Sequence, residues 1–265
     1  MTTTEQVVLS SETFADNAPE DFGTLVSNQP EPAYFVEQPY YNLDNSESIT
    51  IKIPKNTRHT NNVKRLGIWC SGGCDSTSLL YLLAKTIQDH NLDLYIQPMS
   101  VRRQRPWNPV KASAVIQKVT EILNFDRMLP HQIYYPPRSD PHQTEWQEFQ
   151  DRDKKNKDTE VWHVLFDGLT SNPPADVQPY SNGEEHRRGD DVKKEIESEC
   201  RAHMRPLYLI DKRFVADIFR QFNLINSLLP VTWSCEGTIE ASCNFTVHCE
   251  ECWWCWERQW AFGRL

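Results

Sequence analysis

The sequence predicts an α/β fold: a Rossmann-like parallel sheet with helices on both faces, followed by a cysteine-rich C-terminal subregion. Three observations predict it. Short apolar runs alternate with amphipathic helical segments through the middle of the chain. A glycine turn joins the first of these runs to its helix. Five of the eight cysteines lie between Cys235 and Cys255.

Taken in order, Leu66-Gly67-Ile68-Trp69-Cys70 is apolar, too short for a helix and closed by a turn, so it reads as a strand. Ser71-Gly72-Gly73-Cys74-Asp75-Ser76 supplies the turn. Leu79, Leu80, Leu83 and Ile87 then recur at helical spacing. Leu94-Tyr95-Ile96 is a second strand. Asn108-Pro109 starts a helix, a cap followed by proline in the first turn, with Val115, Val119, Ile122 and Leu123 as its stripe. Gln132–Tyr135 and Val161–Phe166 read as strands. Asp211 caps a last helix striped by Phe214, Val215, Ile218, Phe219 and Phe222.

Three regions result: an acidic extension over 1–62, an α/β domain over 63–230 and a cysteine-rich region over 231–265. In the extension, Ala33-Tyr34-Phe35-Val36 and Ile49-Thr50-Ile51-Lys52-Ile53 are apolar islands. The second alternates and suits a strand, and the rest reads as irregular. Charge-dense stretches at 140–160 and 171–205 interrupt the domain after strands, at the edge where open α/β sheets take ligands.

The 265 residues hold 28 Lys+Arg and 37 Asp+Glu, a net charge of −9. Nine acidic residues and no Lys or Arg occupy the first fifty positions, leaving the remainder balanced. A balanced domain argues against a nucleic-acid partner, although Arg102, Arg103 and Arg105 form a local basic group. No apolar run reaches the roughly 20 residues of a membrane span, and the N-terminus lacks signal-peptide features. The expectation is a soluble, cytoplasmic protein without a membrane partner; a homodimer stays open.

The glycine loop has the ingredients for phosphate. Glycine removes the Cβ that would block close approach, and a helix N-terminus offers N–H groups and the positive dipole end. Ser71 and Ser76 add hydroxyl donors. Asp75 cannot donate to phosphate, so it is assigned to Mg²⁺ or to orienting the loop. No Gly-Lys-Ser/Thr follows, so this is not the Walker A loop, nor is it GxGxxG.

The cysteine spacing suits a metal better than disulfides. Cys249, Cys252 and Cys255 form overlapping CxxC units that can supply thiolates to one tetrahedral Zn²⁺. Cys235 is the choice for the fourth ligand, with Cys243 and His248 as competitors. Four thiolates close the site to water, which makes it structural. The adjacent Trp233, Trp253, Trp254 and Trp256 read as packing around it.

The SGGxDS string resembles the PP-loop of the N-type ATP pyrophosphatases, which cleave ATP between the α and β phosphates. Together with Thr232-Trp233-Ser234-Cys235 and His248-Cys249-Glu250-Glu251-Cys252-Trp253-Trp254-Cys255-Trp256-Glu257-Arg258, it resembles the 7-cyano-7-deazaguanine synthase family in blocks from about 64 to 263. Pro206–Lys212 and Gly168–Asn172 are similar to further family segments. The resemblance implies an adenine nucleotide alpha hydrolase-like fold and a zinc-binding subregion. It also implies an ATP-dependent carbon–nitrogen ligase of queuosine biosynthesis, turning 7-carboxy-7-deazaguanine and ammonia into the nitrile. Carried over, it assigns Asp75, Ser76 and Lys212 to the chemistry and Ser71, Gly72, Gly73, Cys74, Asp75, Ser76 and Thr77 to ATP. Asn172 and Arg258 are assigned to substrate, and Cys235, Cys249, Cys252 and Cys255 to zinc.

Two segments depart from the family. Met99–Arg105 stands where a Tyr-Gly-Gln-Arg-His type string is usual, and Pro173-Pro174-Ala175-Asp176 where a Tyr-Pro-Asp-Cys-Arg type string is usual. Both bear on the acceptor. The alternatives are adenylylation of another acceptor (a tRNA base, another carboxylate, or a protein terminus joined to a deazaguanine) and a non-catalytic nucleotide-binding relative.

Overall fold

The elements of the computed structural model are, in chain order, β1 (Tyr34–Tyr41), β2 (Ser48–Pro54), β3 (Arg65–Trp69), α1 (Cys74–Asp89), β4 (Tyr95–Val101), α2 (Asn108–Leu123), β5 (Gln132–Tyr134), β6 (Val164–Phe166), β7 (His203–Met204), α3 (Lys212–Gln221) and α4 (Trp253–Phe262). The described residues are 33–57, 60–101, 108–134, 161–177 and 203–265, and they belong to one compact unit, Pro32–Leu265. The acidic tail up to Pro32, Arg102, Arg103, Arg105, the 140–160 stretch and most of 171–205 lie outside them.

The sheet runs β5-β4-β3-β6-β7 and is parallel at each pairing, with Leu66 of β3 opposite Ile96 on one side and Val164 on the other. The chain builds outward from β3 through β4 to β5, then continues on the opposite side of β3. The order therefore reverses at β3, and the crevice beyond the carboxyl ends of β3 and β6 is where such sheets take ligands. Side chains alternate along each strand. Leu66, Ile68, Ile96, Val164, Phe166 and Met204 join residues of α1, α2 and α3 in the main core. Met99, Leu165 and Trp162, with Trp69 and Tyr134 against them, make a separate cluster on the other face. Gly67 is required there, because a Cβ would lie 2.8 Å from the Trp162 ring.

The predicted strands and helices of the domain are present, with two shifts at their ends. β4 runs on through Gln97-Pro98 to Val101, beyond the apolar triplet that signals it. The strand predicted from Val161 is confined to Val164–Phe166. Asp211 caps α3, its Oδ1 accepting from the Arg213 N–H at 2.8 Å.

The extension differs from expectation. Both apolar islands are strands, and β1 and β2 pair antiparallel as a hairpin within the same compact unit as the sheet. Asn42 closes the turn by accepting the Glu47 N–H on its side-chain oxygen at 3.0 Å, and Asn45 takes φ 60°. Ile49, Ile51 and Ile53 are buried in the main core, and Tyr40 shares a 2.8 Å hydrogen bond with Thr86 of α1. α1 thus packs against both sheet and hairpin. That explains why Leu82 and Ala84 are buried along with the expected stripe of Leu79, Leu80, Leu83 and Ile87. α4 was also unexpected, since its sequence reads as a cysteine knuckle. Among the described residues, no helix is long and apolar enough to cross a membrane.

Candidate functional site

The loop after β3 folds back on the start of α1. Gly72 takes φ +83°, and a Cβ on it would meet Ala112 N and Lys111 Cβ of α2 at 2.8 Å, so both the backbone angle and the space demand glycine. Its carbonyl accepts the Trp233 N–H at 2.7 Å. Gly73 is the N-cap of α1, without a side-chain cap bond. The first turn of a helix leaves N–H groups without intrahelical acceptors, and here that turn borders a cleft of about 350 Å³. Ser71 and Ser76 sit together at the cleft, their hydroxyl oxygens 3.1 Å apart, while the Gly73 N–H donates to Ser71 Oγ at 3.2 Å. Across the reversal point Gly168 presses on α1, with a built Cβ only 2.8 Å from Ser76 Cα.

Two residues assigned to ATP serve the loop itself. Thr77 is fully buried and donates to the Gly73 carbonyl at 2.7 Å. Cys74 borders the cleft, but its sulfur accepts from Arg258 at 3.0 Å and meets Thr232 Oγ1 at 3.4 Å. Arg258 likewise departs from its substrate assignment. The residue is 1% exposed, and its guanidinium donates to Thr232 Oγ1 at 2.7 Å and to the Leu229 carbonyl at 3.0 Å, bracing α1 from beneath. A buried guanidinium needs such partners to offset its desolvation. Asn172 is half-buried on the segment after β6 and is not among the residues lining the cleft.

Asp75 does reach the cleft. Its Oδ2 lies 3.3 Å from Lys212 Nζ, the first residue of α3. Lys212 is 2% exposed, and its ammonium is held at 2.6 Å by Glu257 of α4. One cation is therefore shared by two carboxylates. Glu257 was missed from the sequence; its signal was that it is the lone acid of a helix rich in aromatic residues.

The far rim was also missed. Asp167, just past β6, accepts from Arg205 Nε at 3.2 Å, and His203 Nε2 stands 3.9 Å from the same carboxylate. Burial pulls His203 down to about 4, so it is neutral at physiological pH. On the side toward α2, Lys111 Nζ lies 4.2 Å from the centre of the Trp233 ring, and burial lowers its pKa. Cys70 is no nucleophile, because burial pushes its thiol up to about 12.

The structure brings together the four cysteines named from the sequence. The Sγ atoms of Cys235, Cys249, Cys252 and Cys255 all lie within 4.8 Å of one another, Cys249 and Cys255 at 3.9 Å. A tetrahedral ion with metal–sulfur bonds of about 2.3 Å sets sulfurs about 3.8 Å apart, so the spread fits a single ion. A four-iron cluster places an iron under each thiolate and needs wider spacing. Backbone N–H groups point at the sulfurs, Gly237 and Cys249 at Cys235, Cys252 at Cys249 and Glu236 at Cys252, all at 3.3–3.4 Å. The hydrogen bond from Cys255 pulls the Cys252 thiol down to about 4 and pushes Cys255 itself up. Gly237 is a close approach: a Cβ there would lie 2.7 Å from Cys249 Sγ. The competitors are elsewhere. Cys243 is exposed, and His248 stacks on Trp233 with ring centres 4.5 Å apart.

Fold and site together define an α/β protein with a five-stranded parallel sheet, a glycine loop at its reversal point and a four-cysteine group beside it. No family model and no curated protein matches the chain. Among solved structures, it is similar to the U34-tRNA thiolase NcsA from Methanococcus maripaludis with its [4Fe-4S] cluster, at 15% identity and TM-score 0.39. That likeness covers 63% of this chain and 59% of the other, so the chain spans under two thirds of the thiolase. It is also similar to NAD+ synthetase from Burkholderia pseudomallei, at 12% identity and TM-score 0.33, covering 77% and 75%.

Proposed function

We propose that the chain is an ATP-dependent synthase that converts 7-carboxy-7-deazaguanine and ammonia to 7-cyano-7-deazaguanine. The observation that carries the reading is the convergence on one cleft of the SGGxDS loop, the N-terminus of α1 and the Asp75–Lys212 pair, at the point where the strand order reverses.

The chemistry balances in four steps. The substrate carboxylate attacks the α-phosphate of ATP, giving an acyl-adenylate and pyrophosphate. Ammonia displaces AMP with loss of a proton, giving the amide. The amide oxygen attacks a second ATP with loss of one N–H proton, giving an O-adenylyl imidate and pyrophosphate. Loss of AMP and the remaining nitrogen-bound proton leaves the nitrile. The protein's task is to position phosphates and stabilise developing charge, since a carboxylate oxygen leaves poorly until it is adenylylated.

In this reading Ser71, Gly72, Gly73, Ser76 and the first turn of α1 cradle the phosphates. Lys212 meets the charge that develops during α-phosphate transfer. Mg²⁺ entering with ATP would be held at Asp75, a cleft-lining carboxylate, and would offset the charge of the phosphate oxygens. Asp167 and Arg205 offer an acceptor and a donor to a polar heterocycle on the opposite rim. Zn²⁺ on Cys235, Cys249, Cys252 and Cys255 is structural, because four thiolates leave no open position.

The test supplies ATP, Mg²⁺, ammonium and the carboxylate and follows products by mass spectrometry. The expected result is AMP and pyrophosphate, with amide preceding nitrile. Asp75→Ala should lower AMP formation at least 100-fold at an unchanged melting temperature. ADP as the main product refutes the loop assignment. Amide alone indicates a one-step amidotransferase. AMP formed only with another carboxylate, a tRNA base or a protein terminus moves the acceptor while keeping the adenylylation.

A further inference from the structure

His131, immediately before β5, bridges hydroxyls from two neighbouring elements. Among the described residues, its Nε2 lies 2.7 Å from Ser100 Oγ of β4 and its Nδ1 lies 2.9 Å from Ser113 Oγ of α2. Each hydroxyl also meets a carbonyl, Ser100 that of Cys70 at 2.6 Å and Ser113 that of Pro109 at 2.9 Å. The ring is half-buried, Ser100 is buried where it borders the cleft, and Ser113 is exposed.

This chain of contacts meets the glycine loop at the Cys70 carbonyl. That carbonyl belongs to the peptide leading into Ser71, and the N–H of the same peptide donates to Ser76 Oγ at 3.2 Å. The peptide is thus gripped from α1 by Ser76 and from β4 by Ser100. The proton inventory decides how firm the second grip is. The four contacts around His131 need four hydrogens, whereas two hydroxyls and a neutral imidazole supply three. With the ring hydrogen on Nδ1, the single hydrogen of Ser100 is contested between Nε2 and the Cys70 carbonyl. With it on Nε2, that of Ser113 is contested instead. An imidazolium donates from both nitrogens, so both hydroxyls are released to their carbonyls and Ser100 is committed to Cys70.

The charged side chains of α2 are engaged elsewhere: Lys111 lies over the Trp233 ring at 4.2 Å, and Lys118 pairs with Glu121 at 3.4 Å. β4 contributes no charged side chain, and its Tyr95 stands at the opposite end of the strand, as Arg65 does on β3. Cys70 keeps a neutral thiol, and Tyr134 of β5 donates to Gln132 Oε1. Burial lowers the pKa of His131, which keeps the ring neutral at physiological pH.

We propose that His131 is a positioning residue of the glycine loop, holding the Cys70–Ser71 peptide through Ser100 and holding it more firmly when protonated. The inference rests on the reading of the loop as a cradle for ATP phosphates. It extends that reading to a residue that does not line the cleft. ATP affinity should rise, relative to a chain without the imidazole, as pH falls through the pKa of the ring.

The experiment is calorimetry of Mg²⁺–ATP binding to the full chain at about pH 7.5 and about pH 5.5, with thermal unfolding recorded at each. His131→Gln keeps a donor and an acceptor but cannot gain a proton, whereas His131→Leu supplies neither. At the higher pH, His131→Gln should bind ATP within twofold of wild type, and His131→Leu and Ser100→Ala should each bind at least fivefold more weakly. The double variant His131→Leu with Ser100→Ala should lie within twofold of the weaker single variant, because His131 acts through Ser100. From the higher to the lower pH, the affinity of wild type relative to His131→Gln should rise at least threefold, a ratio from which the protonation of ATP itself cancels. The same ratio measured in the Ser100→Ala background should stay constant. These two ratios answer the question if His131→Leu does not fold. A folded His131→Leu binding within twofold of wild type, losses that multiply in the double variant, or a wild-type ratio that does not change with pH overturns the proposal while the loop reading stands. A wild type that binds no ATP overturns the loop reading itself, and this inference with it.

Discussion

Replacing Gly72 by alanine should destabilise the fold, whereas the same change at Gly73 should leave the fold nearly intact. At Gly72 the backbone is in the left-handed region, φ +83°, which costs an L-residue about 1–2 kcal/mol. The new Cβ would also sit 2.8 Å from Ala112 N and 2.9 Å from Lys111 C, backbone atoms of α2 that move only if the helix moves. Overpacking of that kind adds about 1–3 kcal/mol. A total of about 2–5 kcal/mol, at roughly 2–4 °C per kcal/mol for a domain of this size, lowers Tm by about 4–20 °C. At Gly73 φ is −79°, and the nearest neighbour of a Cβ is Ser71 Oγ at 3.3 Å, a side-chain atom that can give way. Its Tm should fall by no more than about 3 °C, and its loss should appear instead in ATP affinity, since Gly73 lines the cleft. Thermal unfolding by circular dichroism, with calorimetry for ATP, makes the comparison. A Gly72→Ala protein melting within about 2 °C of wild type, or a Gly73→Ala protein melting as low as Gly72→Ala, would refute the packing argument.

Two further outcomes are expected. Cys249→Ser should purify with well under one zinc per chain and melt lower, because a structural zinc supplies on the order of 10 kcal/mol of folding free energy in small peptides; exposed Cys243→Ser should keep a full complement, and elemental analysis decides. Stability should fall as pH drops from 6.5 toward 4, because His203 stays neutral in the fold down to about 4 while the unfolded chain takes up the proton near 6.5; His203→Gln should flatten that slope in denaturant titrations, and an unchanged slope would discount His203 as its source.

What the sequence revealed was local chemistry. Gly72-Gly73 between an apolar run and an amphipathic stretch declares a strand, turn and helix, and the CxxC spacing declares three thiolates near one another. Asp211 before Lys212 declares a helix start. What it concealed came from packing between distant segments. The hairpin was hidden because β1 alternates around charged Glu37 and polar Gln38 and gains its meaning only by pairing with β2. α4 was hidden because its Trp and Cys residues match a metal knuckle as well as a helix. Arg258 illustrates the limit best. An arginine beside a motif reads as a contact for an anion, and only the fold shows its guanidinium turned inward onto Cys74, Thr232 and Leu229. Glu257, Asp167 and Arg205 lacked any spacing signal, because their partners are 38 to 45 residues away in the chain.

The cysteine group and the glycine loop are mechanically one unit, and in the proposed reading this explains why a structural metal would stand beside the cleft. The chain leaves Cys235 backward through Ser234 to Trp233, whose N–H holds the Gly72 carbonyl at 2.7 Å. It leaves Cys255 forward through one helical turn to Glu257 and Arg258, which hold Lys212 and Cys74. Both paths begin at a thiolate and end on the loop, the first turn of α1 or the cation facing it. Neither path includes a long lever, so a shift of the sulfurs would pass into the loop almost undiminished. A hydrophobic knuckle could anchor the same segments, but indole packing fixes position less tightly than four metal–sulfur bonds of set length and angle. Phosphoryl transfer is sensitive to misplacement on the scale of 1 Å. In the proposed function, a metal held there would act on catalysis through the positions of Gly72, Cys74 and Lys212, without taking part in the reaction.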